Sequence, residues 1–87
     1  MPSKVEEVLA IVARIAGRNP STLKAEDDLI VDLGIDSPQA LELLVEIEEL
    51  LGIEISDEEE GLLESVGAII TFVEAHVASD TRRADSK

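Results

Sequence analysis

Apolar residues recur three and four positions apart in three stretches of this chain, and no other feature constrains the fold as strongly. The stretches cover residues 3–16, 37–51 and 66–77. Because an α-helix turns once in about 3.6 residues, this spacing places the apolar side chains in one stripe along each helix. In a chain of 87 residues the stripes must meet in a single core. The sequence therefore predicts an all-α bundle with three principal helices.

Polar residues at the edges of these stretches predict where the helices begin. Ser3 and Glu6 have the spacing of a capping box, in which each side chain binds the backbone N–H of the other residue. Ser37 is predicted to be the N-cap of the second helix, with Pro38 at its first position, where proline is favoured. Ser65 is predicted to cap the last helix.

The segments between the helices are also informative. Residues 18–36 form a long first loop, and one short helix is predicted within residues 57–63. We expect the apolar residues of the loop to pack on the core; they are Leu23, Leu29, Ile30, Val31, Leu33 and Ile35. Gly34 is predicted to mark a tight bend. Residues 1–78 are expected to form the domain and residues 79–87 a flexible polar tail.

The charge of the chain excludes several classes of function. The net charge is −13, and residues 25–64 contain fifteen acids without a lysine or arginine. Binding to nucleic acids or to anionic membranes depends on basic residues, so neither is expected. No apolar run approaches the roughly 20 residues of a membrane helix, and no signal peptide is recognisable. We therefore expect a soluble, cytoplasmic protein.

The second helix has an unusual distribution of apolar residues. One stripe is expected to face the core; it consists of Ala40, Leu43, Leu44, Ile47, Leu50 and Leu51. Leu41 and Val45 point elsewhere, to a face that also carries Glu42, Glu48 and Glu49. Leu41 and Val45 either form a surface that partners recognise or are partly buried under the preceding loop, and the sequence leaves both possibilities open.

Catalytic and metal-binding patterns are absent from the sequence. The chain has no cysteine and a single histidine, His76, which is expected on the exposed side of the last helix. Calcium-loop registers that begin at Asp32 or Asp57 lack the required glycine and glutamate. No serine lies in a nucleophile elbow, and no glycine-rich phosphate loop occurs. Only the motif DLGIDSP at residues 32–38 remains, in which Ser37 taken alone is an ordinary capping serine.

Together with its surroundings, this motif resembles the acyl carrier protein family. The resemblance covers residues 5–77 and includes DDLIVDLGIDS, ALELLVEIEELLGIEISDEE and ESVGAIITFVEAHV. It implies that a phosphopantetheinyl transferase esterifies Ser37 with the 4′-phosphopantetheine of coenzyme A, and that Asp36 helps to position the site. The terminal thiol of this arm would carry acyl groups, so the protein needs no cysteine of its own. Catalytic residues and a bound metal are not expected.

The resemblance also implies partners and a surface for them. Basic patches on acyl-loading and acyl-processing enzymes are expected to bind the second helix through Leu41, Glu42, Val45, Glu48 and Glu49. The protein would then be a free-standing, monomeric carrier for fatty acid, polyketide or related biosynthesis, and not an enzyme. Two alternatives stay open. One is a peptidyl carrier that holds aminoacyl groups, and the other is an acidic helical interaction module without a prosthetic group.

One residue departs from the family pattern. The family usually has an apolar leucine or methionine directly after the modified serine, whereas this chain has Pro38. Proline is compatible with the first turn of a helix, so the fold is not expected to suffer. The surface that a transferase meets is changed, however, and the sequence leaves open which transferase recognises it.

Overall fold

The computed structural model describes residues 3–85 and contains four α-helices. They are α1 (Lys4–Ala16), α2 (Ser37–Leu51), α3 (Asp57–Leu62) and α4 (Val66–Asp85), with a short 3₁₀ turn at Pro20–Thr22. This confirms the predicted bundle of three principal helices and one short helix. None of the helices within residues 3–85 has both the length and the apolar character needed to cross a membrane.

The helices begin where polar side chains satisfy the free backbone N–H groups of the first turn. At α1 the Glu6 N–H donates to Ser3 Oγ (3.1 Å) and the Ser3 N–H donates to a Glu6 carboxylate oxygen (2.9 Å), which confirms the predicted capping box. Ser56 caps α3 in the same way. At α4 the Ala68 N–H donates to Ser65 Oγ (3.1 Å), as predicted for a capping serine.

The core lies where α1 packs between α2 and α4. Its buried residues on the helices are Val8, Val12, Ile15, Leu43, Ile47, Val66, Ile69 and Val73. The predicted core stripe of α2 is confirmed, since its other members, Ala40, Leu44, Leu50 and Leu51, are partly buried against the same cluster. Apolar burial is the main source of stability in so small a bundle.

Only part of the first loop packs on the core as predicted. Leu29, Leu33 and Ile35 are buried, whereas Ile30 is 64% exposed and Val31 is 81% exposed, so the prediction was wrong for these two residues. The reason is a helix-like turn in which the Asp32 N–H donates to the carbonyl oxygen of Asp28 (3.0 Å). Residues four positions apart share one side of such a turn. Burial of Leu29 and Leu33 therefore turns Ile30 and Val31, which lie between them, outwards.

Backbone hydrogen bonds join the first loop to the start of α4. The Leu29 N–H donates to the carbonyl oxygen of Glu64 (3.0 Å), and the Gly67 N–H donates to that of Ala25 (2.9 Å). These bonds hold the loop against the segment between α3 and α4. The long first loop is thereby fixed to this segment at Ala25 and Leu29.

The end of the chain is described only in part. Helix α4 continues through Asp85, so residues 79–85 have a helical backbone. Ser86 and Lys87 lie outside the described residues. The domain boundary at residue 78 and the flexibility of residues 79–87 stay predictions.

Substitution of Gly67 tests how closely the first loop approaches α4, and Gly61 provides the control. A Cβ atom at Gly67 would lie 2.9 Å from the carbonyl oxygen of Ala25, while a Cβ at Gly61 in α3 would meet no atom within 4 Å. We expect Gly67→Ala to lower the free energy of unfolding by about 1–3 kcal/mol through this clash. Gly61→Ala is expected to raise it by up to about 1 kcal/mol, because alanine favours helix. Urea denaturation measures both, and equal effects would contradict the close approach.

Candidate functional site

Helix α2 begins one residue earlier than predicted. Asp36 is the N-cap, Ser37 is the first helical residue and Pro38 is the second, so the assignment of Ser37 as N-cap was wrong. The Gln39 N–H donates to Asp36 Oδ1 (3.0 Å), and the Asp36 N–H donates to Gln39 Oε1 (3.1 Å). Capping at Asp36 brings glutamine to the third helical position, where it completes a capping box. Capping at Ser37 would bring Ala40 there, which has no acceptor.

Because Asp36 caps the helix, the Ser37 side chain is not needed for capping. Asp36 makes the capping hydrogen bonds, and Ser37 is exposed at the first position of the helix. The N-terminal turn of a helix presents unpaired N–H groups and the positive end of the helix dipole. A phosphate ester on the Ser37 hydroxyl is therefore electrostatically favoured at this position.

The residues around Ser37 are anchored on both sides. The Gln39 Nε2 group donates to the carbonyl oxygen of Ile15 (3.3 Å) and so links the start of α2 to the last turn of α1. Ile35, two residues before the serine, is only 1% exposed. Gly34 has φ of +70°, which confirms the predicted bend and suits a residue without a side chain. The hydroxyl is thus presented from a rigid part of the molecule.

An open, mostly apolar cavity borders α2 along the face that carries Ala40 and Leu44. It has a volume of about 400 Å³ and is lined by residues that include Leu29, Ile30, Ala40, Leu43, Leu44 and Leu63. Carboxylates of Asp28, Asp57, Glu60 and Glu64 also border it. Ala40 lies one helical turn after Ser37, so the two residues share a face of α2. Ala40 therefore connects the face of α2 that carries Ser37 with the cavity.

Leu41 and Val45 of the second face of α2 are exposed to solvent. Leu41 is 61% exposed and Val45 is 44% exposed. Neither side chain is buried, as a surface for partners requires, and the docking role of these residues stays a prediction. Two large apolar side chains of α2 remain open to solvent beside Glu42 and Glu49, which are also exposed.

Glu48 has a structural contact that sequence reasoning missed. Its carboxylate accepts a hydrogen bond from the Ile55 N–H (2.7 Å) and so closes the connection between α2 and α3. Glu48 is half-buried, whereas the neighbouring Glu49 is exposed. No local motif marks this bond, because the two residues meet only through the course of the connection. Of the two carboxylates, Glu49 is the one with its charge open to solvent.

Arg14 of α1 reaches two further carboxylates of α2. Its guanidinium donates to the carboxylate of Glu46, and it lies 4.0 Å from Glu42. The hydrogen bond to Glu46 and the charge of that carboxylate raise the pKa of the Arg14 guanidinium. Glu46 is half-buried and Glu42 is exposed. Part of the acidic surface is thus neutralised within the protein.

His76 and the acidic residues form no metal site among residues 3–85. His76 is half-buried, although it was expected to be exposed. Its Nδ1 group donates to the carbonyl oxygen of Phe72 (3.0 Å), and the two rings pack with their centroids 4.3 Å apart. The imidazole ring is therefore held against Phe72, one turn earlier in α4.

The capping role of Asp36 can be measured separately from any role in modification. We expect Asp36→Ala to lower the free energy of unfolding by about 1 kcal/mol, because the first turn of α2 loses its acceptor. Asp36→Asn keeps an acceptor oxygen and is expected to cost only a few tenths of a kcal/mol. Urea denaturation of both variants provides the comparison. Equal losses would show that charge, and not capping, is what Asp36 supplies to the fold.

Comparison with known proteins agrees with this geometry. Residues 6–73 match the family described as "Phosphopantetheine attachment site". The acyl carrier protein of Clostridium acetobutylicum is 38% identical over 71 residues, which cover 82% of this chain and 92% of that protein. The acyl carrier protein of Campylobacter hominis is 38% identical over 69 residues, 79% of this chain and 87% of that protein.

A more specialised relative shows similar coverage of this chain. The meromycolate extension acyl carrier protein of Mycobacterium tuberculosis is 32% identical over 78 residues, which cover 85% of this chain and 68% of that protein. The family match spans most of the helical bundle, including the start of α2. The chain therefore belongs to the acyl carrier protein family, and its prosthetic group is 4′-phosphopantetheine.

Proposed function

We propose that the protein is an acyl carrier in which Ser37 bears the 4′-phosphopantetheine arm. The observation that carries this proposal is the exposed Ser37 at the start of α2, next to a helix cap that another residue provides. A phosphopantetheinyl transferase would join the Ser37 oxygen to the phosphorus that bears the pantetheine of coenzyme A. The hydroxyl proton is lost, and adenosine 3′,5′-bisphosphate is the leaving group.

The residues around Ser37 fit this group. The first turn of α2 offers backbone N–H groups and a favourable dipole to the phosphodiester. The Asp36 carboxylate accepts the Gln39 N–H, so part of its charge is compensated within the cap. When bound, the group supplies a terminal thiol that holds an acyl chain as a thioester. The chain contains no cysteine that would compete with this thiol.

The cavity beside α2 supports an acyl cargo. Its apolar lining, which includes Leu43, Leu44 and Leu63, suits a hydrocarbon chain better than a polar one. The role of the protein is then to hold and deliver intermediates of fatty acid, polyketide or related biosynthesis. It would act as a cytoplasmic monomer and supply no catalytic group to the reactions of its partners.

The exposed face of α2 supports a docking role toward basic partners. Leu41 and Val45 provide apolar contact area, and Glu42 and Glu49 provide negative charge around it. Opposite charges on acyl-loading and acyl-processing enzymes would speed encounter and fix orientation. Glu48 contributes charge as well, but its contact with Ile55 ties it to the fold.

Loading with coenzyme A tests the attachment at Ser37. Intact mass after incubation with a phosphopantetheinyl transferase of broad range should increase by one phosphopantetheine. Ser37→Ala should show no increase and should keep its helix content, because Asp36 still caps α2. Ser21→Ala, at another exposed serine, should load as the wild type does. If several transferases leave the wild-type mass unchanged, an acidic interaction module without prosthetic group becomes the better explanation.

Charge reversal on α2 tests the docking face. Glu49→Lys is expected to slow loading by a basic transferase about three- to tenfold at low salt, with little change at high salt. Its stability should be unchanged, because the side chain is exposed. Glu48→Lys should also lower the unfolding midpoint, because the Ile55 N–H loses its acceptor. Stopped-flow loading rates and urea denaturation separate the two effects, and salt-independent loading by both variants would contradict the docking role.

A further inference from the structure

We propose that Ile30 and Val31, here called the 30–31 pair, form a second docking element that the phosphopantetheinyl transferase covers when it modifies the protein. The inference rests on the proposed attachment at Ser37. The pair lies on the first loop, outside the face of α2 described above. Ile30 is 64% exposed and Val31 is 81% exposed, whereas Leu29 and Leu33 of the same turn are buried.

The backbone of the pair is held rigidly. Asp28 Oδ1 accepts hydrogen bonds from the N–H groups of both Ile30 (2.9 Å) and Val31 (2.8 Å). The Asp28 N–H in turn donates to the Asp32 carboxylate (2.7 Å), and Arg18 donates to the carbonyl oxygen of Asp32 (3.0 Å). A partner that binds these side chains therefore orders little backbone on binding, which lowers the entropic cost of the contact.

The pair is close to Ser37 because the loop folds back on itself. The Gly34 N–H donates to the carbonyl oxygen of Ile30 (3.1 Å). Ser37 lies three positions after Gly34, a distance of at most about 11 Å along the chain, so that carbonyl lies within about 14 Å of Ser37. A protein interface of ordinary size buries about 800 Å² on each partner, which corresponds to a patch of about 16 Å radius.

The short distance between Ser37 and the 30–31 pair indicates which partner covers the pair. An enzyme that reacts with the Ser37 hydroxyl itself must contact the protein at Ser37, and an ordinary interface centred there is wide enough to reach the backbone of the 30–31 pair. Enzymes that act at the far end of the phosphopantetheine arm do not react with the serine, and the exposed face of α2 is the surface proposed above for them. Of the proposed partners, only the transferase must contact Ser37 itself, so we assign the 30–31 pair to the transferase.

The negative charge around the 30–31 pair indicates the composition of the transferase surface that would bind it. Asp28 and Asp32 belong to the same turn, and residues 25–64 contain fifteen acids without a lysine or arginine. An apolar socket bordered by lysine or arginine side chains complements this arrangement. The 30–31 pair would supply the apolar contact, and the acids would supply orientation.

Steady-state loading kinetics test this proposal on the full chain with coenzyme A and a broad-range transferase. Val31→Asn is expected to raise KM for the carrier about three- to tenfold with kcat unchanged, because it removes binding area and leaves Ser37 in place. The double variant Ile30→Asn/Val31→Asn should raise KM further. Leu62→Asn, at an apolar side chain of α3 that is 71% exposed, is the matched control and should change KM less.

The outcomes separate this inference from the attachment itself. If the wild type loads and Val31→Asn has the same KM, the docking element is refuted while the function of Ser37 stands. An equal rise in Leu62→Asn would also refute it, because the effect would then be a general loss of apolar surface. Sedimentation that shows a wild-type dimer abolished by Val31→Asn would assign the pair to self-association instead. If no transferase loads the wild type, both proposals fall.

Discussion

The capping box between Asp36 and Gln39 is the interaction on which the rest of the site depends. It sets the first residue of α2, and the Gln39 side chain also binds the last turn of α1 through Ile15. With Asp36 as the cap, Ser37 keeps an exposed hydroxyl at the positive end of a helix. A serine that capped the helix itself would have its oxygen engaged by the backbone. The fold thus separates the residue that holds the helix from the residue proposed to carry the arm.

The acidic surface divides into residues that serve the fold and residues that are open to partners. Glu46 binds Arg14 and Glu48 binds the Ile55 N–H, so both carboxylates help to join elements of the bundle. Glu49 is exposed on the same helix. Like charges at this density repel each other within the folded protein. Retaining them is physically reasonable if basic partners recognise this surface, which is the role proposed for α2.

Local patterns in the sequence predicted the helices and most of their caps, because periodicity and capping depend on residues within one or two turns. The start of α2 was missed by one residue, although Asp36 and Gln39 have the spacing of a capping box. Exposure of Val31 was not predictable from composition, because it follows from the turn that buries Leu29 and Leu33. The bond between Arg14 and Glu46 joins residues 32 positions apart, and no local signal marks such a contact.

Ser37 is proposed to anchor the phosphopantetheine arm in the living cell. Fragmentation mass spectrometry of the protein purified from its native host, without added transferase, addresses it most directly. We expect the mass of phosphopantetheine on the fragment that contains Ser37, with an acyl group that neutral hydroxylamine releases. An unmodified Ser37 in the native protein, or the same mass on a different serine, would contradict the account.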